Sequence, residues 1–457
     1  MLLTNFICDP DSRKPMYLQL CHFIREEIRK QHMRPGDRLP SIRKLARALG
    51  VSRTTVETCY SQLLGEGWLV SSPQRGHFVA DLLPRKKQPL PPSAPEKKPC
   101  RYDFANNYID GTTFPENLWR RHLKKVLADN TALTTYGDPQ GEEALRQVLS
   151  RYSHDARGVV CSPEQIVVGA GIQSLLEILA ALLADTLFPE DRAVAMENPG
   201  FPQAEEVFRR QGWDIRHFDV EDVTGEKGEK PASLLFLSPS NPYKGRSLTP
   251  AQRRQLLRWC RREDAYILED DYNGEFRYFS TPVSSLQGMS DGIHIIYLGS
   301  FSRLLLPSLR ISYMVLPPAL LPAYRRLRPL YNQTSSTLEQ LALAAFIEEG
   351  NLRRHVKRLR RLYAGKNALL RQALERHFGK RLRILAYESG LHIRIALKSR
   401  HTSARLVEIA ERNGVNVLDI LPELQEKGEP QLLLSFAGIA MEDIPPAVKL
   451  LAECWTE

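Results

Sequence analysis

Residues 297–313, which read YLGSFSRLLLPSLRISY, decide the fold of this chain. An apolar run that ends at Leu298 has the pattern of a buried strand, and a serine-rich turn follows it. A second strand-like run begins directly after Arg310. The turn contains Arg303, whose guanidinium stays protonated at ordinary pH and is a poor nucleophile. By itself the turn predicts only a link between two strands, so the surrounding sequence has to decide its role.

Short apolar runs lie on both sides of this segment and alternate with amphipathic helical patterns. They are rich in Val, Ile and Leu without polar alternation, as expected for strands buried on both faces. Intervening helices imply right-handed crossovers and a mostly parallel sheet. The predicted strands are 166–168, 194–196, 234–237, 266–268, 293–298 and 311–316. The sequence thus predicts an α/β large domain at 101–337, and a long basic helix leading into a smaller α+β lobe at 338–457.

The first 80 residues predict a separate α+β domain. Three helical patterns are punctuated by Gly50, a natural helix stop, and by Ser52, a good N-cap. Two short strand patterns follow around a polar turn, which makes a winged helix-turn-helix. Arg53, Thr54 and Thr55 occupy the first turn of the third helix, where a recognition helix meets base edges and phosphates. The alternative is a small three-helix interaction domain.

Residues 81–100, DLLPRKKQPLPPSAPEKKPC, change the composition abruptly. So many prolines cannot build a core and favour an extended, semi-rigid spacer, which predicts a linker between the two domains. The formal net charge of +10 is compatible with a polyanionic partner but does not require one.

Seven scattered cysteines form no CxxC or Cys/His pair at metal spacing. Free thiols in a reducing cytosol, without a metal site, are therefore expected. The N-terminus lacks the features of a signal peptide, and no apolar run approaches about 18 residues. The sequence predicts a cytoplasmic protein without a membrane span.

Candidate site residues follow the predicted strands, as in open α/β sheets. Gly171 and Ile172 open a helix whose backbone N–H groups could cradle a phosphate. Phe201 lies either in a plain turn or where it can stack on a flat ring. Asn241 can donate a hydrogen bond to a ring oxygen, and the carboxylates at 269–271 need a cationic partner. Each feature alone is more often structural than functional.

Residues 34–69, RPGDRLPSIRKLARALGVSRTTVETCYSQLLGEGWL, together with RGHFV at 75–79, closely resemble the DNA-binding domain of GntR-type bacterial repressors. The resemblance implies a double-stranded DNA operator as partner. Glu57 departs from the basic residue common in the family, which leaves the base preference open. The implied DNA contacts are Arg43, Arg53, Thr54, Thr55, Arg75, Gly76 and His77.

The order of the later motifs resembles the fold-type I aminotransferase-like domain, and EDDYNGEFRY is similar to a run typical of the MocR subfamily of GntR-type regulators. That subfamily fuses both domains through a variable linker. The resemblance implies a pyridoxal phosphate pocket. Asp270 would pair with the pyridine nitrogen, and Tyr136 would reach across a dimer interface. The other implied cofactor contacts are Gly171, Ile172, Phe201, Asn241, Tyr272, Ser300, Ser302, Arg303 and Arg310.

Two departures from the family pattern bear on activity. The S-x-S-K lysine that carries the cofactor as an internal aldimine is matched by Arg303, which should not form that bond. The C-terminal strand reads QLLLSFAGIA, with Leu433 and Gly438 where a carboxylate-binding arginine is expected. An α-amino acid would therefore need another anchor, such as Arg303 or Arg394.

Two functions fit these observations. One is a pyridoxal-phosphate-dependent aminotransferase with a DNA-binding arm. The other, which the missing lysine favours, is a transcription regulator without catalytic residues, whose vestigial domain binds a small-molecule effector and forms a head-to-tail homodimer. Its pocket could bind pyridoxal phosphate non-covalently, bind another anion through Arg303, or stay empty. The sequence leaves open whether Arg303 is natural or introduced.

Overall fold

The computed structural model describes residues 3, 6–9, 12, 14–81, 100–106, 108–128, 131–198, 200–224, 230–241, 247–276, 283–420 and 429–455. The chain divides into two compact units, residues 1–96 and 97–457. Most of the predicted linker, residues 82–99, lies outside the described residues. Within the described ranges, no helix is long and apolar enough to cross a membrane.

The first unit is the winged helix-turn-helix that the sequence predicts. Its N-cap residue Ser52 accepts a hydrogen bond from the backbone N–H of Thr55 at 3.1 Å. Gly50 ends the preceding helix at a φ of 67°, in the left-handed region that favours glycine. The two strands pair antiparallel as the wing. The elements are α1 (Met16–Arg29), α2 (Ile42–Leu49), α3 (Arg53–Gly65), β1 (Leu69–Ser72) and β2 (Gly76–Val79).

The second unit is built on a seven-stranded sheet with the order β4-β10-β9-β8-β7-β5-β6. Only β10, of these described strands, runs antiparallel to its neighbours. Each predicted run forms a strand, but the edge strand β6 was missed because it is mostly exposed and polar. The strands of the sheet are β4 (Ile166–Gly169), β5 (Ala193–Glu197), β6 (Asp214–Phe218), β7 (Leu234–Leu237), β8 (Tyr266–Asp270), β9 (Ile295–Ser300) and β10 (Ser312–Val315).

Helices cover both faces of this sheet, so successive strand residues enter different cores. Val194 and Met196 pack into the core formed with α6 and α7, where α6 is Ile172–Thr186 and α7 is Pro202–Arg210. Ala195 packs into the opposite core. Burial on both faces explains why these strands show no polar alternation. The remaining helices of this part are α4 (Glu116–Ala128), α5 (Glu143–Arg157), α8 (Val220–Thr224), α9 (Pro250–Arg262) and α10 (Leu321–Leu327).

The C-terminal part is an antiparallel sheet with helices, as predicted for the α+β lobe. The predicted long basic helix is α12, and a shorter helix without Lys or Arg, α11, precedes it; Gly350, at a φ of 70°, lies between the two. A short parallel pair joins β3 to β13, so the start of the second unit lies against this lobe. The elements are β3 (Tyr102–Asp103), α11 (Thr337–Glu348), α12 (Asn351–Phe378), β11 (Leu382–Ala386), β12 (His392–Leu397), α13 (Ser403–Arg412), β13 (Val415–Asn416), β14 (Leu418–Asp419), β15 (Gln431–Ser435) and α14 (Ile444–Cys454). The boundary at residue 337 stays a prediction.

Candidate functional site

The candidate DNA-contacting side chains of the first unit lie on α2, on the first turn of α3 and on the wing. Arg43, Arg53, Thr54 and Arg75 are exposed, and Thr55 is half-buried. Within the described ranges, none of the three arginines makes a side-chain hydrogen bond or ion pair. Their guanidinium groups are therefore available for phosphate oxygens or base edges.

The wing residues have a structural role as well as an exposed position. Gly76 has a φ of 105°, which a residue with a side chain would adopt only with strain. The His77 ring packs edge-on against the ring of Tyr60, with 5.2 Å between the centroids. Sequence reasoning missed Lys44 and Arg47, which are exposed on α2 beside Arg43. Their helical spacing was the available signal.

In the second unit, Arg303 is buried in the turn after β9, with 3% of its surface exposed. Its Nε–H donates to the hydroxyl oxygen of Tyr272 at 2.5 Å. The guanidinium carbon also lies 5.0 Å from the centre of the Tyr272 ring, within cation–π range. Burial, with the charge of Arg303 second, lowers the pKa of His392 to about 3. The turn therefore places a fixed positive charge beside the end of β8 and near β12.

Asp270, the last residue of β8, carries a buried carboxylate with an unused acceptor. Its Oδ1 has no hydrogen-bond partner among the described residues. Burial, followed by the charges of Asp271 and Glu269, raises the pKa of Asp270 to about 7. Buried polar atoms rarely lack a partner, so this atom suits a ligand that brings an N–H or a cation.

The two neighbouring acids are used inside the protein. Asp271 accepts from Nε of Arg157 at 2.6 Å and from its Nη2 at 3.1 Å, and both side chains are nearly fully buried. Glu269 accepts backbone N–H groups of the turn at 286–287. Of the three consecutive carboxylates, Asp270 is thus the one left for a ligand.

The predicted phosphate-binding residues gather where α6 begins. Gly171 has a φ of 89°, and a Cβ atom there would collide with Nη2 of Arg310. Ile172 is the first residue of α6, so its backbone N–H points out of the helix end. The Ser300 hydroxyl accepts the backbone N–H of Ser302 at 3.3 Å. Exposed Arg310, the free helix N–H groups and the two serines form a cradle suited to an anion.

The remaining predicted residues are placed as follows. Phe201 is half-buried before α7 and packs against the core on that face of the sheet. Asn241 is buried shortly after β7. Tyr136 is 91% exposed in the single chain. Arg394 donates its Nε–H to Oε1 of Gln431 at 2.8 Å, so its guanidinium has a partner within the C-terminal sheet.

Sequence reasoning missed three buried polar residues, and the charge of Arg303 acts on one of them, His392. Each has a buried atom without a hydrogen-bond partner in the described part of the chain: Nδ2 of Asn273, Nδ1 of His392 and Oγ of Ser435. His392 and Ser435 are directly opposite each other on β12 and β15. No local pattern could have joined His392 to Ser435 or to Arg303, because these segments are distant in sequence.

A winged-helix unit followed by an α/β unit on a seven-stranded, mostly parallel sheet defines the class of a DNA-binding regulator built on a fold-type I scaffold. Comparison with known proteins agrees. Residues 16–79 match the family described as bacterial regulatory proteins, gntR family, and residues 104–451 match aminotransferase class I and II.

Two relatives define the family, and one solved structure shares the fold of the second unit. The HTH-type transcriptional regulator YhdI of Bacillus subtilis is 36% identical, over 100% of this chain and 98% of the relative. The probable rhizopine catabolism regulatory protein MocR of Rhizobium meliloti is 33% identical, over 95% and 92% respectively. LysN, an alpha-aminoadipate aminotransferase from Thermus thermophilus, shares the fold, with a TM-score of 0.67 at 24% identity over 77% of this chain and 91% of LysN. This chain belongs to the HTH-type transcriptional regulators that join a gntR-family domain to an aminotransferase class I and II domain. Its function is transcription regulation, and the alternative of an aminotransferase with a DNA-binding arm is not supported.

Proposed function

We propose that the aminotransferase-like unit of this regulator binds a phosphorylated effector without catalysing transamination. The observation that carries the proposal is the position of Arg303, buried against Tyr272 in the turn where the family pattern has its lysine. A guanidinium does not form the Schiff base that holds the cofactor, nor does it act as the proton-transferring base. The domain is therefore a vestigial aminotransferase.

The residues of the pocket fit pyridoxal phosphate held non-covalently. The orphaned Oδ1 of Asp270 would accept the pyridine N–H, and Arg310 with the start of α6 would hold the phosphate. Phe201 would stack on the ring, with Asn241 and Tyr272 near its phenolic oxygen. When bound, the cofactor supplies a flat, electron-poor ring that carries a phosphate. Another anion that uses the same cradle is the alternative.

The winged-helix unit binds the operator in this proposal. Exposed Arg43, Arg53 and Arg75 contact phosphates or base edges, and the side chains of Thr54 and Thr55 face the same groove. Gly76 lets the wing approach the DNA backbone closely, while His77 supports the wing through Tyr60. Recognition helices use the residues of their first turn in this way.

The second units form a head-to-tail homodimer in this proposal, and the extreme exposure of Tyr136 supports a role at the interface. Effector occupancy would favour one arrangement of the dimer and so change its affinity for DNA. A ligand achieves this only if it binds the two arrangements with different affinities.

The test is an absorbance spectrum of the full chain with pyridoxal phosphate, before and after borohydride reduction, together with DNA binding measured by fluorescence anisotropy. The DNA is the region upstream of the chain's own coding sequence. We expect saturable binding, a spectrum that reduction does not fix to the protein, and a ligand-dependent change in DNA affinity. A reduced, covalently attached ring would show that another lysine forms the Schiff base. DNA affinity that is unaffected by bound ligand would refute the sensor role.

A further inference from the structure

We propose that the second unit has a further anion-binding site, formed by α9 and the segment that leads into β9, and that this site binds an organic phosphate monoester. The proposed function does not require this site and does not use its residues. Its basis is a cavity of about 490 Å³, a volume within the range of small-molecule pockets.

The cavity lies at the opposite end of a strand from the candidate cofactor residues. Its lining includes Ile295, the first residue of β9, whereas the candidate cofactor residue Ser300 is the last. Because β8 runs parallel to β9, Asp270 at the end of β8 lies on the same side of the sheet as Ser300. At about 3.3 Å per residue, the strand from Ile295 to Ser300 spans about 16 Å. A ligand in the cavity would therefore not contact the candidate cofactor residues.

Three arginines on one face of α9 line this cavity. Arg254, Arg258 and Arg261 follow one another at helical spacing, so their side chains project from the same side of the helix. All three are exposed. Like charges at this spacing destabilise a helix, so an anion bound among the three arginines would remove an unfavourable interaction.

An ion pair joins the two walls of the cavity. Nη2 of Arg261 donates to Oδ2 of Asp291 at 2.7 Å, which ties the end of α9 to the segment before β9. The other carboxylate oxygen of Asp291 accepts the backbone N–H of Ile293 at 3.2 Å. Among the described residues that line the cavity, Asp291 is the single acid. Both of its oxygens are thus used, and it does not neutralise the other two arginines.

Arg254 and Arg258 have no hydrogen bond or ion pair with any described residue. Each guanidinium presents a planar fork of N–H donors that matches phosphate or carboxylate oxygens. Three arginines and one aspartate leave an excess of two positive charges in the lining, counted without His294. A phosphate monoester carries about −1.5 to −2 at pH 7, whereas a carboxylate carries a single charge. The charge of the cavity therefore favours the phosphate.

The size and the apolar part of the lining favour an organic ester over the free ion. Leu257 and Met289 are half-buried and line the cavity together with Ile295. Inorganic phosphate has too few atoms to fill the cavity and would leave these side chains in contact with water. A ligand with an aromatic or aliphatic group removes their apolar surface from water, which is favourable.

The experiment is isothermal titration calorimetry of the full chain carrying Arg310→Gln, which removes the arginine proposed to hold a phosphate at the other site. The probes are phenyl phosphate, inorganic phosphate and benzoate. We expect phenyl phosphate to bind more tightly than benzoate, and about tenfold more tightly than inorganic phosphate, because its ring is buried. Its affinity should fall as the salt concentration rises, because the arginines are exposed.

Variants in this background assign the binding to its residues. Arg254→Ala and Arg258→Ala should each weaken phenyl phosphate about threefold to fivefold, since exposed ion pairs contribute modestly, and the double variant should weaken it about tenfold or more. Arg258→Lys keeps the charge without the planar fork and should also weaken binding. The matched control is Arg262→Ala, on the same helix, which removes an exposed arginine that pairs with Glu263 and is outside the cavity lining; binding should not change. Circular dichroism of each variant checks the fold.

Several results would overturn the inference. They are the absence of phenyl phosphate binding, unchanged binding in the double variant, or equal weakening in Arg262→Ala. Inorganic phosphate that binds as tightly as phenyl phosphate would overturn the assignment of an organic ester, and benzoate that does so would overturn the assignment of a phosphate. If phenyl phosphate does not bind and the double variant instead weakens DNA binding in fluorescence anisotropy, these arginines contact nucleic acid and the small-molecule site is wrong. The proposed function is tested separately, because it does not involve α9.

Discussion

Replacing Asp270 with asparagine should stabilise the ligand-free protein above about pH 7 and weaken its binding of a phosphorylated pyridine. The carboxylate of Asp270 is buried, one of its oxygens has no partner among the described residues, and two acidic neighbours surround it. These causes raise its pKa from the ordinary value of 3.8 to about 7. Since one pKa unit corresponds to about 1.4 kcal/mol, ionising this group in the folded chain costs about 4 kcal/mol.

The sign of the effect follows from proton binding. Between about pH 4 and pH 7 the folded chain keeps the Asp270 proton while the unfolded chain has lost it, so stability falls as pH rises through this window. An asparagine at this position would not titrate. Asp270→Asn should therefore leave the free energy of unfolding nearly unchanged at about pH 4 and raise it by about 2–4 kcal/mol at about pH 8, a range that allows for local relaxation. Glu269, whose pKa is also raised to about 7, titrates in both proteins, and its charge is one of the causes that raise the pKa of Asp270.

The assay is urea denaturation of the full chain at both pH values, which gives the free energy of unfolding of the second unit. Ligand binding is measured in parallel by calorimetry. Asp271→Asn is the matched control, because it makes the same change one residue away. It should destabilise the protein by about 3–5 kcal/mol, since it leaves the buried Arg157 without its charge partner. If Asp270→Asn destabilises the protein at about pH 8, or if both variants behave alike, the assignment of the unpaired acid is wrong.

Three further changes test other parts of the molecule. Arg53→Ala should weaken DNA binding, measured by fluorescence anisotropy, and should lower by about 1 the slope of the logarithm of the binding constant against the logarithm of the salt concentration. The control Arg405→Ala, on α13 of the other unit, should change neither the affinity nor this slope. Ser52→Ala removes the side-chain cap of α3 and should lower the free energy of unfolding of the winged-helix unit, measured by calorimetry, by about 1 kcal/mol. Unchanged unfolding would mean that water replaces the hydrogen bond of the cap. Lys366→Met should lower the free energy of unfolding, measured by urea denaturation, by about 3–5 kcal/mol, because it removes the amine that lies 2.7 Å from the Asp110 carboxylate and leaves this charge without its partner. Adding Asp110→Asn should recover part of this loss.

Much of the fold could be predicted because its signals are local. Gly50 and Ser52 mark the ends of adjacent helices by their own backbone and side-chain chemistry, and both act as expected. The composition of the apolar runs predicts that the strands of the large sheet are buried. β6 has no such signal, because an edge strand needs no apolar face toward solvent. Gly350, in the left-handed conformation, separates α11 from the long basic helix α12, a break that an apolar pattern does not reveal.

The candidate site was predictable in part, for a similar reason. The family resemblance singled out Asp270 and Arg303, but the residue pattern by itself did not distinguish among the carboxylates at 269–271. Only the fold shows that Arg157, more than a hundred residues earlier, neutralises one carboxylate and leaves the other. His392 and Ser435 were missed because they become neighbours through strand pairing, not through any spacing along the chain.

The cost of the Asp270 carboxylate also bears on how a ligand signal could reach DNA. A ring N–H that pairs with Oδ1 would recover part of the roughly 4 kcal/mol spent on this group, but only in arrangements of the chain where the ring fits. Allosteric coupling in proteins typically needs about 1–3 kcal/mol. The free energy associated with the Asp270 carboxylate is thus large enough for the ligand to favour one arrangement of the protein over another. This requires that the arrangement with lower DNA affinity and the arrangement with higher DNA affinity bind the ring differently. In Asp270→Asn, DNA affinity should then no longer depend on ligand concentration, even at concentrations that saturate the remaining ligand binding. If saturating ligand instead changes the DNA affinity of this variant as much as that of the wild type, another part of the pocket supplies the coupling free energy.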